Sequence, residues 1–136
     1  MKSLNTKIIF RFLGITAILN GLFMFVAVPF SLYYKETATW GIINAGIITV
    51  IIGLLLYFLN KPKNTIIHKK EGYLIVTLGW LTLSLTGMLP YIISGEIPNV
   101  TNAFFETISG YSTTGSSILK DIESMPKGIL FWRSAT

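Results

Sequence analysis

The run Tyr111-Ser112-Thr113-Thr114-Gly115-Ser116-Ser117 sets hydroxyls and a glycine directly after a short apolar segment, Asn102 to Ser109. Backbone carbonyls in such a run can replace the hydration shell of a small cation, and glycine permits the φ values needed to aim them at one axis. The apolar segment is too short to cross a bilayer. As a helix it would rise ~12 Å at ~1.5 Å per residue, under half of a ~30 Å hydrocarbon core. A helix that enters without crossing leaves non-helical backbone at membrane depth, which is tolerated only where protein buries it or it lines a water-filled path. Residues 111–117 are therefore expected to face a conduit, with Asn102 as N-cap of a pore helix over 102–109 and Gly110 as its C′ residue. The partly negative C-terminal end of that helix would point to the membrane middle and favour a cation.

The elements that must position this run are apolar helices. Hydrophobic residues make up 51% of the chain and charged residues 12%, against roughly 25% charged in a soluble domain. Three apolar runs, Ile8 to Tyr34, Ala38 to Leu59 and Gly72 to Ile93, each reach the ~20 residues that a spanning helix needs. Pro29 removes one backbone hydrogen bond and is expected to kink or stop the first helix. The first run is longer than the ~7–15-residue apolar core of a secretory signal, and no small-residue cleavage site follows it. After Pro126, Gly128-Ile129-Leu130-Phe131-Trp132 opens a further apolar run, expected to be a fourth span cut short at Thr136. The fold expected is an all-α membrane protein: three transmembrane helices, a re-entrant pore helix with its filter loop, and the start of a fourth helix.

Charge reports topology. Lys2, Lys7 and Arg11 precede the first span, and Lys61, Lys63, Lys69 and Lys70 lie between the second and third, whereas the opposite loops hold Lys35, Lys120 and Lys127. The positive-inside rule then places the N-terminus in the cytoplasm, so that the third span runs outward and the pore segment starts and ends outside. Tyr33, Tyr34, Trp40 and Tyr91 at the outer ends, and Tyr57 and Tyr73 at the inner ends, are expected to be interface anchors. The net charge of +5 does not point to nucleic acid, because the basic residues sit in gaps between apolar runs and not along one face. The chain has no cysteine, which excludes thiolate metal sites and disulfides. No His or Asp/Glu cluster falls in the spans, so an enzyme is disfavoured and no cofactor is expected; His68 reads as a solvated side chain. Thr82, Ser84 and Thr86 read as hydroxyls bonded back to their own helix, and Asn20 and Asn44 as amides that bond across helices.

Glu106 lies halfway along the short helix, and Arg133 lies ~9 Å along the fourth span from Lys127. At similar depth an unpaired charge is costly, so Glu106 is expected to be held by Arg133, or else by backbone N–H groups or a neighbouring repeat.

The ordered series Lys70-Glu71-Gly72-Tyr73-Leu74, Gly87-Met88-Leu89-Pro90-Tyr91, Asn102-Ala103-Phe104-Phe105-Glu106, Ser109-Gly110-Tyr111-Ser112-Thr113-Thr114-Gly115, Pro126-Lys127-Gly128 and Phe131-Trp132-Arg133-Ser134 resembles the Trk/Ktr/HKT superfamily of potassium transporters. The likeness is to the N-terminal part of a bacterial Trk-type membrane subunit, close over the second half of the chain and only hydropathic over the first two spans. It implies four helix, pore-loop, helix repeats around one pore, a homodimer, a cytoplasmic nucleotide-binding regulatory subunit, and residence in the cell's inner membrane. Residues 1–68 would be a leading pair of helices, and 69–136 the first repeat, with its inner helix beginning at 128. The function implied is potassium uptake, K⁺ being the transported ion. Thr113, Thr114, Gly115 and Ser116 would form the first filter strand through backbone oxygens, supported by Glu106, Arg133 and Gly110. The Thr-Val-Gly-Tyr-Gly run of potassium channels is not present, which implies looser selectivity. The competing reading is a secondary transporter that binds a small solute at a broken helix near the midplane.

Overall fold

The computed structural model describes residues 3–136, so Lys2 of the basic N-terminal group lies outside the described residues. Six helices follow one another: α1 (Thr6–Tyr33), α2 (Ala38–Leu59), α3 (Lys69–Gly87), α4 (Leu89–Ile93), α5 (Val100–Tyr111) and α6 (Lys127–Ala135), with no strand among the described residues. Three stretches are long and apolar enough to cross a membrane: α1, α2, and α3 with α4 over Lys69–Ile93. Their outward surfaces carry large apolar side chains, among them Leu19, Val26, Ile51, Leu55, Val76 and Leu85. An exterior of that kind suits lipid and not water. The chain is an all-α integral membrane protein.

The leading hairpin is built on glycine. A methyl on Gly14 would stand 2.7 Å from the Gly53 carbonyl oxygen, and one on Gly53 would stand 2.7 Å from the Gly14 carbonyl oxygen. About two turns further along, Gly21 and Gly46 face each other in the same way, with a methyl on Gly21 only 3.0 Å from the Gly46 carbonyl oxygen. Where lipid supplies no hydrophobic drive, such close backbone approach is what holds two helices together. Lys35, at φ 52°, makes the left-handed turn that joins them.

Several boundaries differ from expectation. Pro29 does not stop α1, which runs on to Tyr33 and ends with the Tyr34 N–H on the Phe30 carbonyl at 3.3 Å; the proline itself has no N–H to give the ladder. The third span starts earlier than Gly72, at Lys69, where the His68 N–H donates to Glu71 Oε2 at 2.8 Å. It then breaks at Met88, where Pro90 cannot continue the ladder. The Tyr91 N–H bonds the Met88 carbonyl instead of that of Gly87, and Trp132 Nε1 takes up the Gly87 carbonyl at 3.0 Å. The interrupted helix thus becomes the docking point for α6. Tyr33, Tyr34, Trp40 and Tyr73 are exposed, as anchors should be, but Tyr91 is completely buried in the core with Met24, Ile42 and Trp132. The break at Met88 turns α4 inward and carries Tyr91 with it.

The hydroxyls of α3 bond back as expected: Thr82 to the Leu78 carbonyl, Ser84 to that of Trp80 and Thr86 to that of Thr82. Asn20 does bond across helices, whereas Asn44 is exposed.

Candidate functional site

α5 begins two residues before its expected start and ends two after it. Its N-cap is Asn99, in extended backbone, whose Oδ1 accepts from the Asn102 N–H at 3.2 Å; Asn102 is the capped residue and not the cap. Gly110 is likewise not a C′ residue but an interior one. A methyl there would stand 3.0 Å from Thr136, so the glycine serves the approach of α5 to the end of α6. The left-handed residue that ends the helix is Thr113, at φ 57°. A β-branched residue in that region is a strained outlier, which marks the loop as held in place by its surroundings.

Gly115, at φ 72°, is the second left-handed position, and a methyl on it would meet nothing within 4 Å. Its requirement is conformational and not one of space. The two left-handed residues turn the amides of the loop inward: the Thr113 N–H donates to the Gly110 carbonyl at 3.1 Å, and those of Thr114 and Gly115 both donate to Ser109, at 3.1 and 3.3 Å. Among the described residues, the carbonyls of Thr113, Thr114 and Gly115 accept no hydrogen bond, and all three residues are exposed. Ser116 is exposed too, yet its carbonyl already accepts from Ser109 Oγ at 2.5 Å, which sets it apart from the other three. Tyr111, expected to face a conduit, turns instead into the helix junction, where its hydroxyl donates to Asn20 Oδ1 at 2.6 Å.

The structure brings Glu106 and Arg133 together, with Arg133 Nε 3.3 Å from Glu106 Oε2. The contact is through one guanidinium nitrogen and not a two-pronged fork. Backbone N–H, the alternative partner, is present as well: Glu106 Oε1 accepts from the Ile118 N–H at 2.7 Å and from Ser117 Oγ at 2.6 Å. A single buried carboxylate therefore ties three pieces of chain, α5, the irregular segment leaving the loop and α6. Between them lies a cavity of about 110 Å³ lined by Glu106, Ser109, Gly110, Gly115, Ser116 and Arg133.

Glu36 was not singled out by sequence, yet it holds the start of α6. Its carboxylate accepts from the backbone N–H of Lys127 and, at 3.0 Å, from that of Gly128. A negative charge at a helix N-terminus meets both the unpaired N–H groups and the positive end of the dipole. The signal was available in negative form, since the N-cap residue of α6 is Pro126, which has no side chain able to cap it. Glu71 does the same at the other end of the molecule, accepting from the Asn5 N–H at 2.8 Å. That contact borders a larger open hollow, about 680 Å³, where Ser3 to Lys7 meets Asn64, Ile66 and His68.

No group of His, Cys, Asp and Glu able to hold a metal occurs among the described residues. A helical membrane protein that exposes a row of free carbonyls after a short helix presents the groups that a cation, rather than an anion, would meet. The match to the TrkH family, described as cation transport protein, covers residues 39–136. The chain belongs to that family. It is 35% identical over 96% of its length to the Trk system potassium uptake protein TrkH of Escherichia coli K12, and 26% identical over 98% of its length to TrkG of the same organism. The crystal structure of the potassium transporter TrkH from Vibrio parahaemolyticus superposes with a TM-score of 0.88 at 30% identity, covering 96% of this chain and 28% of that one. The chain spans about 27% of the length of the Escherichia coli relative, or roughly a quarter of it.

Proposed function

We propose that this chain supplies the first filter strand of a four-repeat pore for potassium uptake across the inner membrane. In this reading residues 1–68 are the leading helix pair and 69–136 the first repeat; α5 is a re-entrant pore helix, and the backbone oxygens of Thr113, Thr114 and Gly115, with Ser116 at the margin, face the ion. The observation that carries it is the division of labour in the loop: amides tied back to Ser109 and Gly110, carbonyls left free on an exposed edge. A cation needs that polarity, and an anion or a neutral solute would need the opposite or a mixed set of groups. The relatives named as potassium uptake proteins support the choice of ion. The remaining repeats, a second copy of the whole protein and a cytoplasmic nucleotide-binding regulatory subunit are the partners of this reading, in which the protein is a conducting subunit and not an enzyme. A cytoplasmic N-terminus is supported by the meeting at one end of the molecule of Ser3 to Lys7 with Asn64 to Glu71, which brings Lys7 to the same end as Lys69 and Lys70.

The test is Gly115→Ser in the full-length transporter, assayed by potassium and sodium flux into vesicles. A β-carbon at φ 72° costs about 1–2 kcal/mol or turns the carbonyl away, so the potassium preference is expected to fall by several-fold, and by more than in Ser117→Ala. Unaltered selectivity in Gly115→Ser would remove this loop from the ion path.

A further inference from the structure

Asn20 lies in the middle of α1, outside the helices and loop assigned to the pore, and is 5% exposed. A buried amide in a membrane helix is costly unless each of its polar atoms is paired. Both are. Nδ2 donates to Thr86 Oγ1 at 2.8 Å, and Oδ1 accepts from the Tyr111 hydroxyl at 2.6 Å. The Thr86 hydroxyl spends its one proton on the Thr82 carbonyl at 2.7 Å, so towards Asn20 it can only accept. That fixes the amide: its NH₂ must face Thr86, and its carbonyl must therefore face Tyr111. The chain of donors runs one way, from Tyr111 through Asn20 and Thr86 to the backbone of α3.

Tyr111 is the last residue of α5, and the left-handed Thr113 follows two positions later. The ring is wedged against α3 where only glycine leaves room, since a methyl on Gly87 would stand 2.9 Å from Tyr111 Cε2. With its ring against Gly87 and its hydroxyl on Asn20, Tyr111 cannot roll about the helix axis. The roll of the last turn of α5 sets the direction in which Thr113, Thr114 and Gly115 present their carbonyls, because their amides hang from Ser109 and Gly110 on that same turn.

We propose that Asn20 is a positioning residue for the ion path: it belongs to the leading helix pair, touches no ion, and holds through Tyr111 the turn from which the filter carbonyls are aimed. The inference rests on the filter reading above, and its test separates the two. In the full-length transporter, Asn20→Leu and Tyr111→Phe are each expected to lower the potassium-to-sodium preference by roughly fivefold, the size of one buried hydrogen bond. The double variant should be no lower than the stronger single, because both remove the same bond. Thr86→Ser, which keeps the hydroxyl, should behave as wild type. A second readout needs no transport: hydrogen exchange at the amides of residues 112–116 should quicken by roughly fivefold in Tyr111→Phe, while those of α2 stay unchanged. Wild-type exchange at 112–116 in Tyr111→Phe, or a double variant equal to the product of the singles, overturns the proposal. A wild-type protein without potassium preference removes the filter reading instead, and the exchange measurement then decides the positioning alone.

Discussion

The α1–α2 hairpin and the α5–α6 segment are held by opposite means. The hairpin is regular helix over most of its length and satisfies its own backbone there, so its two helices need mainly shape from each other, and Gly14, Gly21, Gly46 and Gly53 supply it. The segment after α5 leaves backbone unpaired, so it needs side chains as partners, and Glu106, Ser109 and Glu36 supply them. In a medium without water, regular backbone can be packed by small residues alone, but irregular backbone has to be met by charge and hydroxyl. Polar side chains also join the two regions, through Asn20 on Tyr111 and Glu36 on the start of α6.

The largest effect expected is at Glu106. Glu106→Ala strands Arg133, the Ser117 hydroxyl and the Ile118 N–H at once, and should cost about 3–5 kcal/mol. Thermal unfolding of the full-length protein should show a large drop and transport should be lost; a variant as stable as wild type would mean that the loop is held by other means. Next is the hairpin. Gly53→Ala drives a methyl to within 2.7 Å of the Gly14 carbonyl oxygen, and a loss of about 1–3 kcal/mol is expected. The contrast is sharpened by selectivity, which should stay at the wild-type value in the Gly53→Ala protein that remains folded, since the filter turn is not touched.

Smaller shifts are expected at single positions of the irregular chain. Glu36→Ala removes the only side-chain cap of α6 among the described residues, a loss of about 1 kcal/mol. Exchange at the Lys127 and Gly128 amides should quicken, and their unchanged protection would refute the cap. Thr113→Gly relieves left-handed strain of about 1–2 kcal/mol at an entropic cost of about 0.5–1 kcal/mol, so the melting temperature should hold or rise slightly. A clear fall would show that the Thr113 side chain itself stabilises the loop.

The hydropathy of the chain was enough for three spans, their order and the short helix before the loop, because span length in a bilayer is a property of consecutive residues. Helix ends were less legible. Asn102 and Gly110 carry cap-forming side chains, or the lack of one, but Asn99 caps α5 and Thr113 ends it, since the true ends depend on where Tyr111 and Thr136 find their contacts. The pairing of Glu106 with Arg133, and backbone N–H as another partner, could be framed from depth alone, yet not that one carboxylate would take both together with the Ser117 hydroxyl.

By itself, then, the sequence determined the class of protein, the number of crossings and the segment that carries the free carbonyls, all of which follow from local hydropathy, length and the residue types of one short run. Only the tertiary structure decided which carbonyls are free, which glycines serve contact and which serve torsion, why Tyr91 is core and not anchor, and that Asn20 and Glu36 reach across 91 and 92 residues to the loop and the last helix. The reason is physical: hydropathy is a sum over neighbours in sequence, whereas the partner of a buried polar group is chosen by neighbours in space.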